Sequence, residues 1–203
     1  PESMYCHLFH PIKPKCIEVL GKKNEKYLNN NIQSKNIEDL RYVIIGYFMS
    51  TAVRVIQERE NGKSYKSSAV FHVDIQKNKH QWQGDLINKF ITEIHKVFQA
   101  GYRDDTRICP VVDAVYDNMK ESNANGRREG LIDVELPTKE EVIKELIKIL
   151  DDENYIVHIV NSNNEVKALL NEDGQLRLDH CANIFIGGNI LDRGITISNM
   201  LCF

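Results

Sequence analysis

Three short apolar runs constrain this chain more than any other feature: Ala69-Val70-Phe71-His72-Val73, Tyr155 to Val160, and Ile184 to Ile186. Each is unbroken rather than alternating, and an unbroken run of strand length marks a strand covered on both faces. A fourth run of strand type closes the sequence at Met200 to Phe203. The first three end in polar turns: His72-Val73-Asp74-Ile75-Gln76, Asn161-Ser162-Asn163-Asn164 and Gly187-Gly188-Asn189. Helical patterns between the runs supply the cover, so the simplest fold is α/β, a parallel sheet flanked by helices.

The helical patterns are explicit. From Asn36, residues Leu40, Val43, Ile44, Tyr47, Phe48, Thr51, Val55 and Ile56 fall three and four apart, predicting one apolar stripe on a long helix that stops at Asn61-Gly62. A second amphipathic helix starts at Lys77 and runs through Trp82, Leu86, Phe90, Ile94 and Phe98 to about Ala100. Residues 105–121 read as another helix, and Ser122 to Gly130 as a polar loop. Thr138, with Glu141 at the capping-box position, opens a helix that runs to Leu150. The expected organisation is an irregular segment over 1–35, then one lobe over 36–203 with a helical insertion at about 103–150. No internal repeat interrupts it.

Composition narrows the function classes. With 203 residues, 42% hydrophobic and 27% charged, the chain suits one soluble domain or a domain with an added lobe. No apolar run reaches the roughly 18 residues a membrane span needs, and no leader opens the chain, which reads as cytoplasmic. Pro1 at one end and Leu201-Cys202-Phe203 at the other read as cuts through a longer polypeptide. The scattered cysteines Cys6, Cys16, Cys109, Cys181 and Cys202 form no C-x-x-C pair, against a zinc ribbon or disulfide framework. A net charge of −3 leaves any nucleic-acid contact local or shared with another lobe.

In an open parallel sheet, ligands gather at the carboxyl ends of the strands, where loops converge and helix N-termini present free N–H groups. The three polar turns would then share one rim. Gly187 and Gly188 let a backbone approach a ligand closely, and Arg193, held by a short turn, would aim a guanidinium at a phosphate. A purely structural turn, with Arg193 paired to Asp192, satisfies the same spacing.

The stretch IFIGGNILDRGITISNMLCF, residues 184–203, resembles motif V of superfamily-two helicases. More closely, Gly187-Gly188-Asn189 followed by Leu191-x-Arg193-Gly194-x-Thr196 is similar to the signature of the Z-one domain family. Members of that family are described as endonucleases associated with a superfamily-two ATPase module, often in restriction-like or phage-defence neighbourhoods. The long helix before the first strand, VFHVDIQKNKHQ (70–81) and IVHIVNSN (156–163) follow in the order the family shows. The resemblance implies the second, RecA-like lobe of a DNA-directed ATPase. His72, Gln76, Gly187, Gly188 and Asn189 would meet the nucleic-acid backbone, while Arg193, Gly194 and Thr196 approach the nucleotide. Thr196 stands where many such helicases carry Asp. ATP and Mg²⁺ would be held mainly by an N-terminal ATPase lobe of the same polypeptide, outside this chain, leaving no catalytic residue and no metal ligand here.

Other constellations compete. Gly62-Lys63-Ser64 imitates the end of a Walker A loop, but Gln57 occupies the earlier glycine position inside a helix. Cys6, His7, His10 and Cys16 have ligand chemistry without zinc-site spacing. A Mg²⁺-dependent nuclease would use Asp152, Glu165 and Lys167, although Glu165-Val166-Lys167 starts a helix rather than lying on a strand. A non-catalytic protein-binding scaffold is the remaining alternative. His158 reads as a satisfied core histidine, His180 and Cys181 as too close in sequence for a dyad, and Trp82 with its aromatic neighbours as core packing.

Overall fold

A computed structural model describes residues 38–71, 77–160, 162–187 and 195–202. Helix α1 (Glu38–Glu60) precedes strand β1 (Ser67–Phe71) and helix α2 (Lys77–Ala100). A 3-10 turn (Tyr102–Asp104), α3 (Cys109–Arg128) and α4 (Lys139–Asp151) lead to β2 (Tyr155–Val160). Short helix α5 (Asn163–Leu169) joins β2 to β3 (Ala182–Gly187), and β4 (Met200–Cys202) follows. None of these helices is long and apolar enough to cross a membrane. The residues preceding α1, including Cys6, His7, His10 and Cys16, lie outside the described residues.

The four strands form one all-parallel sheet in the order β2-β3-β1-β4. Alternation of side chains sorts its two faces. Ala69, Phe71, Ile184 and Ile186 join the main core with α1 to α4, while Val70, Phe185 and Val160 meet Val166 of α5 and Leu176 on the other side. Both faces are therefore covered, as the unbroken apolar runs require. Strand β2 lies at one edge and is only half buried over its first five residues.

The stripe predicted for α1 is too narrow. Leu40, Ile44, Tyr47 and Phe48 are buried as expected, but so are Arg41, Met49, Val53 and Gln57 around the rest of its circumference. The helix touches α3 and α4 as well as β4, so a narrow stripe through Gly46, Ser50, Arg54 and Glu58 stays partly open to solvent. Its stop falls at Asn61-Gly62, where Gly62 adopts a φ of 70°.

Helix α2 has the predicted bounds, and Trp82, Leu86, Phe90, Ile94 and Phe98 are all buried. Most of the predicted loop at Ser122 to Gly130, up to Arg128, is instead the last part of α3. Poor helix formers persist there because the chain folds back on that end. Gly126 is buried where an added Cβ would stand 3.0 Å from Ile132, and Asn123 Nδ2 donates to the Val134 carbonyl at 3.1 Å. Tertiary contact overrides propensity. The capping box of α4 forms as predicted, with Glu141 N donating to Thr138 Oγ1 at 3.3 Å and Thr138 N to the Glu141 carboxylate at 2.9 Å.

Candidate functional site

The rim of the sheet is built by register. Phe71 of β1, Ile186 of β3 and Ile159 of β2 stand level, and Val160 pairs with Gly187 one residue further. The carboxyl ends of three strands thus open on one side of the molecule. Helix α2, which follows β1, packs on one face, whereas Ile195 and Ile197, which follow β3 in sequence, pack beside Leu176 on the opposite face. Adjacent central strands that send their continuations to opposite faces create the crevice in which parallel sheets hold ligands.

Gly187 ends β3 as a buried residue at this rim. His72, Gln76, Gly188, Asn189, Arg193 and Gly194 lie outside the described residues. Thr196 is exposed on the returning limb: its backbone bridges Gln175, and its carbonyl accepts from Leu176 N at 3.2 Å. After β2, Ser162 caps α5, accepting from Glu165 N at 3.3 Å.

The nuclease set does not assemble. Asp152 follows α4 before β2 begins, whereas Glu165 and Lys167 are exposed on α5 beyond the far end of that strand. Six residues of strand separate the two ends by roughly 17–20 Å, too far for one metal site. Among the described residues no three His, Cys, Asp or Glu side chains are grouped to hold a metal.

His158 departs from the satisfied core histidine expected of it. It is half buried on the α5 face, stacked on Phe185 with ring centroids 5.2 Å apart and planes at 14°. Its Nε2 is shut from solvent with no hydrogen-bond partner among the described residues. Burial holds its pKa below the usual 6.5, against the opposing pull of Asp179 and with help from His180 and Arg177. The neutral ring is the folded form, so stability is complete above the unfolded-state pKa and declines as pH falls through it towards the lower folded value. His158→Phe keeps the stack and removes the titration. Calorimetric melting from about pH 8 to about pH 5 should show a smaller acid-side loss in this variant than in the parent, and equal slopes would refute the assignment.

His180 and Cys181 diverge. Cys181 Sγ contacts the Tyr65 carbonyl at 3.7 Å, burial pushes its thiol pKa up, and His180 Nδ1 is enclosed with no partner among the described residues.

Sequence reasoning missed what α2 brings to the rim. Gly84 lies against the penultimate residues of two strands: a Cβ there would stand 2.6 Å from Ile159 Cδ1 and 3.7 Å from Ile186 Cδ1. His80 and Gln83 on the same stripe are each only 2% exposed. The signal was present as polar residues interrupting an apolar stripe, which periodicity counts as mere noise.

A family model described as the Z1 domain matches residues 39–202. No curated protein and no solved structure matches the chain.

Proposed function

This chain belongs to the Z1 domain family, and on that premise we propose that it is the motif-V-bearing, RecA-like lobe of a superfamily-two helicase-like, DNA-directed ATPase in an endonuclease system of restriction or phage-defence type. The observation that supports this reading is the level ending of the adjacent parallel strands β1 and β3, with Gly187 as the last residue of β3. Motif V needs a strand that ends where nucleic acid and nucleotide both pass, and the ending of β3 beside β1 supports that reading.

In this reading, backbone amides from Gly187 to Asn189 hold a DNA phosphate, with His72 and Gln76 adding contacts where β1 runs out. Arg193, Gly194 and Thr196 approach the nucleotide across a cleft to the ATPase lobe, which holds most of the ATP and its Mg²⁺. The lobe's task is to position and sense rather than to break bonds. Its net charge of −3 makes DNA contact weak and local when the lobe acts alone.

Anisotropy of a labelled single-stranded DNA, titrated with the protein over a series of salt concentrations, tests the reading. Retention should weaken as salt rises, and Arg193→Ala should lower the affinity and reduce the salt slope by about one. Retention indifferent to both salt and Arg193 would overturn it. Mg²⁺-dependent cleavage lost in Lys167→Ala would replace it with the nuclease reading.

A further inference from the structure

Five large apolar side chains stand exposed among the described residues, and three of them fall within four consecutive positions: Leu131, Ile132 and Val134, at 52%, 39% and 37% exposure. They lie in the link between α3 and α4. Scattered exposed apolar residues are ordinary, whereas a contiguous patch rimmed by charge marks a contact surface.

The link is tied down, so its apolar side chains are not free to turn inward. Gly130, at a φ of 68°, reverses the chain, and Leu131 N then donates to the Gly126 carbonyl at 2.8 Å. Side chains of α1 and α3 hold the carbonyls that follow: Asn123 Nδ2 donates to Val134 at 3.1 Å, Gln57 Nε2 to Glu135 at 3.0 Å, and the Tyr116 hydroxyl to Pro137 at 2.8 Å. Exposure of the patch is therefore a property of the fold.

The charges beside the patch are of both signs. Arg127 reaches Glu135 at 3.4 Å, and Arg128 reaches its chain neighbour Glu129 at 3.8 Å, all four side chains being well exposed. Such surface pairs contribute little and exchange readily for better partners. Asp133, between the apolar residues, is exposed and makes no ion pair among the described residues.

We propose that this link is the contact surface of a homodimer, in which a two-fold axis passes through the apolar patch and sets Arg128 of each chain against Asp133 of its mate. A two-fold contact needs a surface complementary to itself, and an apolar centre flanked by one cation and one unpaired carboxylate is such a surface. The patch is small, as in transient complexes, so the dimer is weak, with a Kd on the order of 100 μM. Arg54 lies over the Tyr65 ring at 5.2 Å, two residues before β1, which places this end of α1, Gln57 and the link at the amino ends of the strands. The dimer leaves the opposite rim open, and the proposal is independent of the function assigned to that rim.

Sedimentation velocity over protein concentrations from about 10 μM to about 1 mM tests it. The average mass of the parent should rise from that of the monomer towards twice that value and stop there. Leu131→Asp should weaken association at least about tenfold while leaving the melting temperature unchanged, because the side chain is exposed. Arg128→Asp and Asp133→Arg should each weaken it about tenfold, and the two together should restore it to within about twofold of the parent, since the reversed charges again match. Association that survives Leu131→Asp, grows beyond the dimer or is not restored by the double reversal overturns the proposal. So does a parent that stays monomeric throughout. In that monomer a melting temperature lowered by Leu131→Asp would give the patch to another segment of the same chain, and an unchanged one would leave it to a different protein.

Discussion

Replacing Asn183 with alanine is expected to cost on the order of 4 kcal/mol of folding stability, a large share of the roughly 5–15 kcal/mol a domain commonly has. Asn183 is fully buried at the start of β3, at the end of the sheet away from the rim. Its Oδ1 accepts from the backbone N–H groups of Asp179 and His180 at 3.1 and 3.2 Å. Its Nδ2 donates to the carbonyls of Ser67 and His180 at 2.9 and 2.6 Å. Alanine would orphan four backbone groups at once, and water reaches only those nearest the surface.

The backbone of Asn183 is tied in as well. Its N–H donates to the Tyr47 hydroxyl at 2.8 Å, and that hydroxyl donates to the Asn183 carbonyl at 3.1 Å. Ser67 Oγ lies 3.0 Å from the same hydroxyl and 2.7 Å from Thr51 Oγ1. Burial pushes the Tyr47 pKa well above its ordinary value, which keeps the phenol protonated and able to donate. Tyr47→Phe should therefore cost about 2 kcal/mol, and the double variant less than the sum, because both changes break one network. Urea unfolding measures all three. A loss below about 1 kcal/mol in Asn183→Ala would mean that the network does not organise the β1–β3 pair.

Gly84→Leu is expected to cost about 3 kcal/mol, although leucine is the better helix former by nearly 1 kcal/mol. An added Cβ meets Ile159 Cδ1 at 2.6 Å and Cγ1 at 2.9 Å, so α2 and the β2–β3 pair are already as close as glycine allows. Ile159 lies on the half-buried edge strand and has some room to turn away, which makes Gly84→Ala milder. Combining Gly84→Leu with Ile159→Ala should recover part of the loss, a coupling that denaturant midpoints detect. A Gly84→Leu chain as stable as the parent would show that the helix simply lifts from the sheet.

Much of the fold was legible because its determinants are local. The bounds of α2 follow from periodicity, and the start of α4 from Thr138 and Glu141 reaching three residues to each other. The cover on both sheet faces follows from unbroken runs such as Ile184 to Ile186, which hold no polar position that water could solvate. Asn183 was legible only as the residue before that run, since its four hydrogen bonds go to Asp179, His180 and Ser67 at two other points of the chain. Gln83 was hidden the same way inside an amphipathic pattern.

By itself, the sequence determined most of the strands and helices, that the sheet is parallel and doubly covered, and where β3 ends. The strand order β2-β3-β1-β4, the adjacency of β1 and β3, the broad burial of α1 and the extension of α3 to Arg128 were decided only in the tertiary structure. The reason is physical: these features depend on pairings such as Tyr47 with Asn183, 136 residues apart, whose energies appear only after the chain has closed on itself.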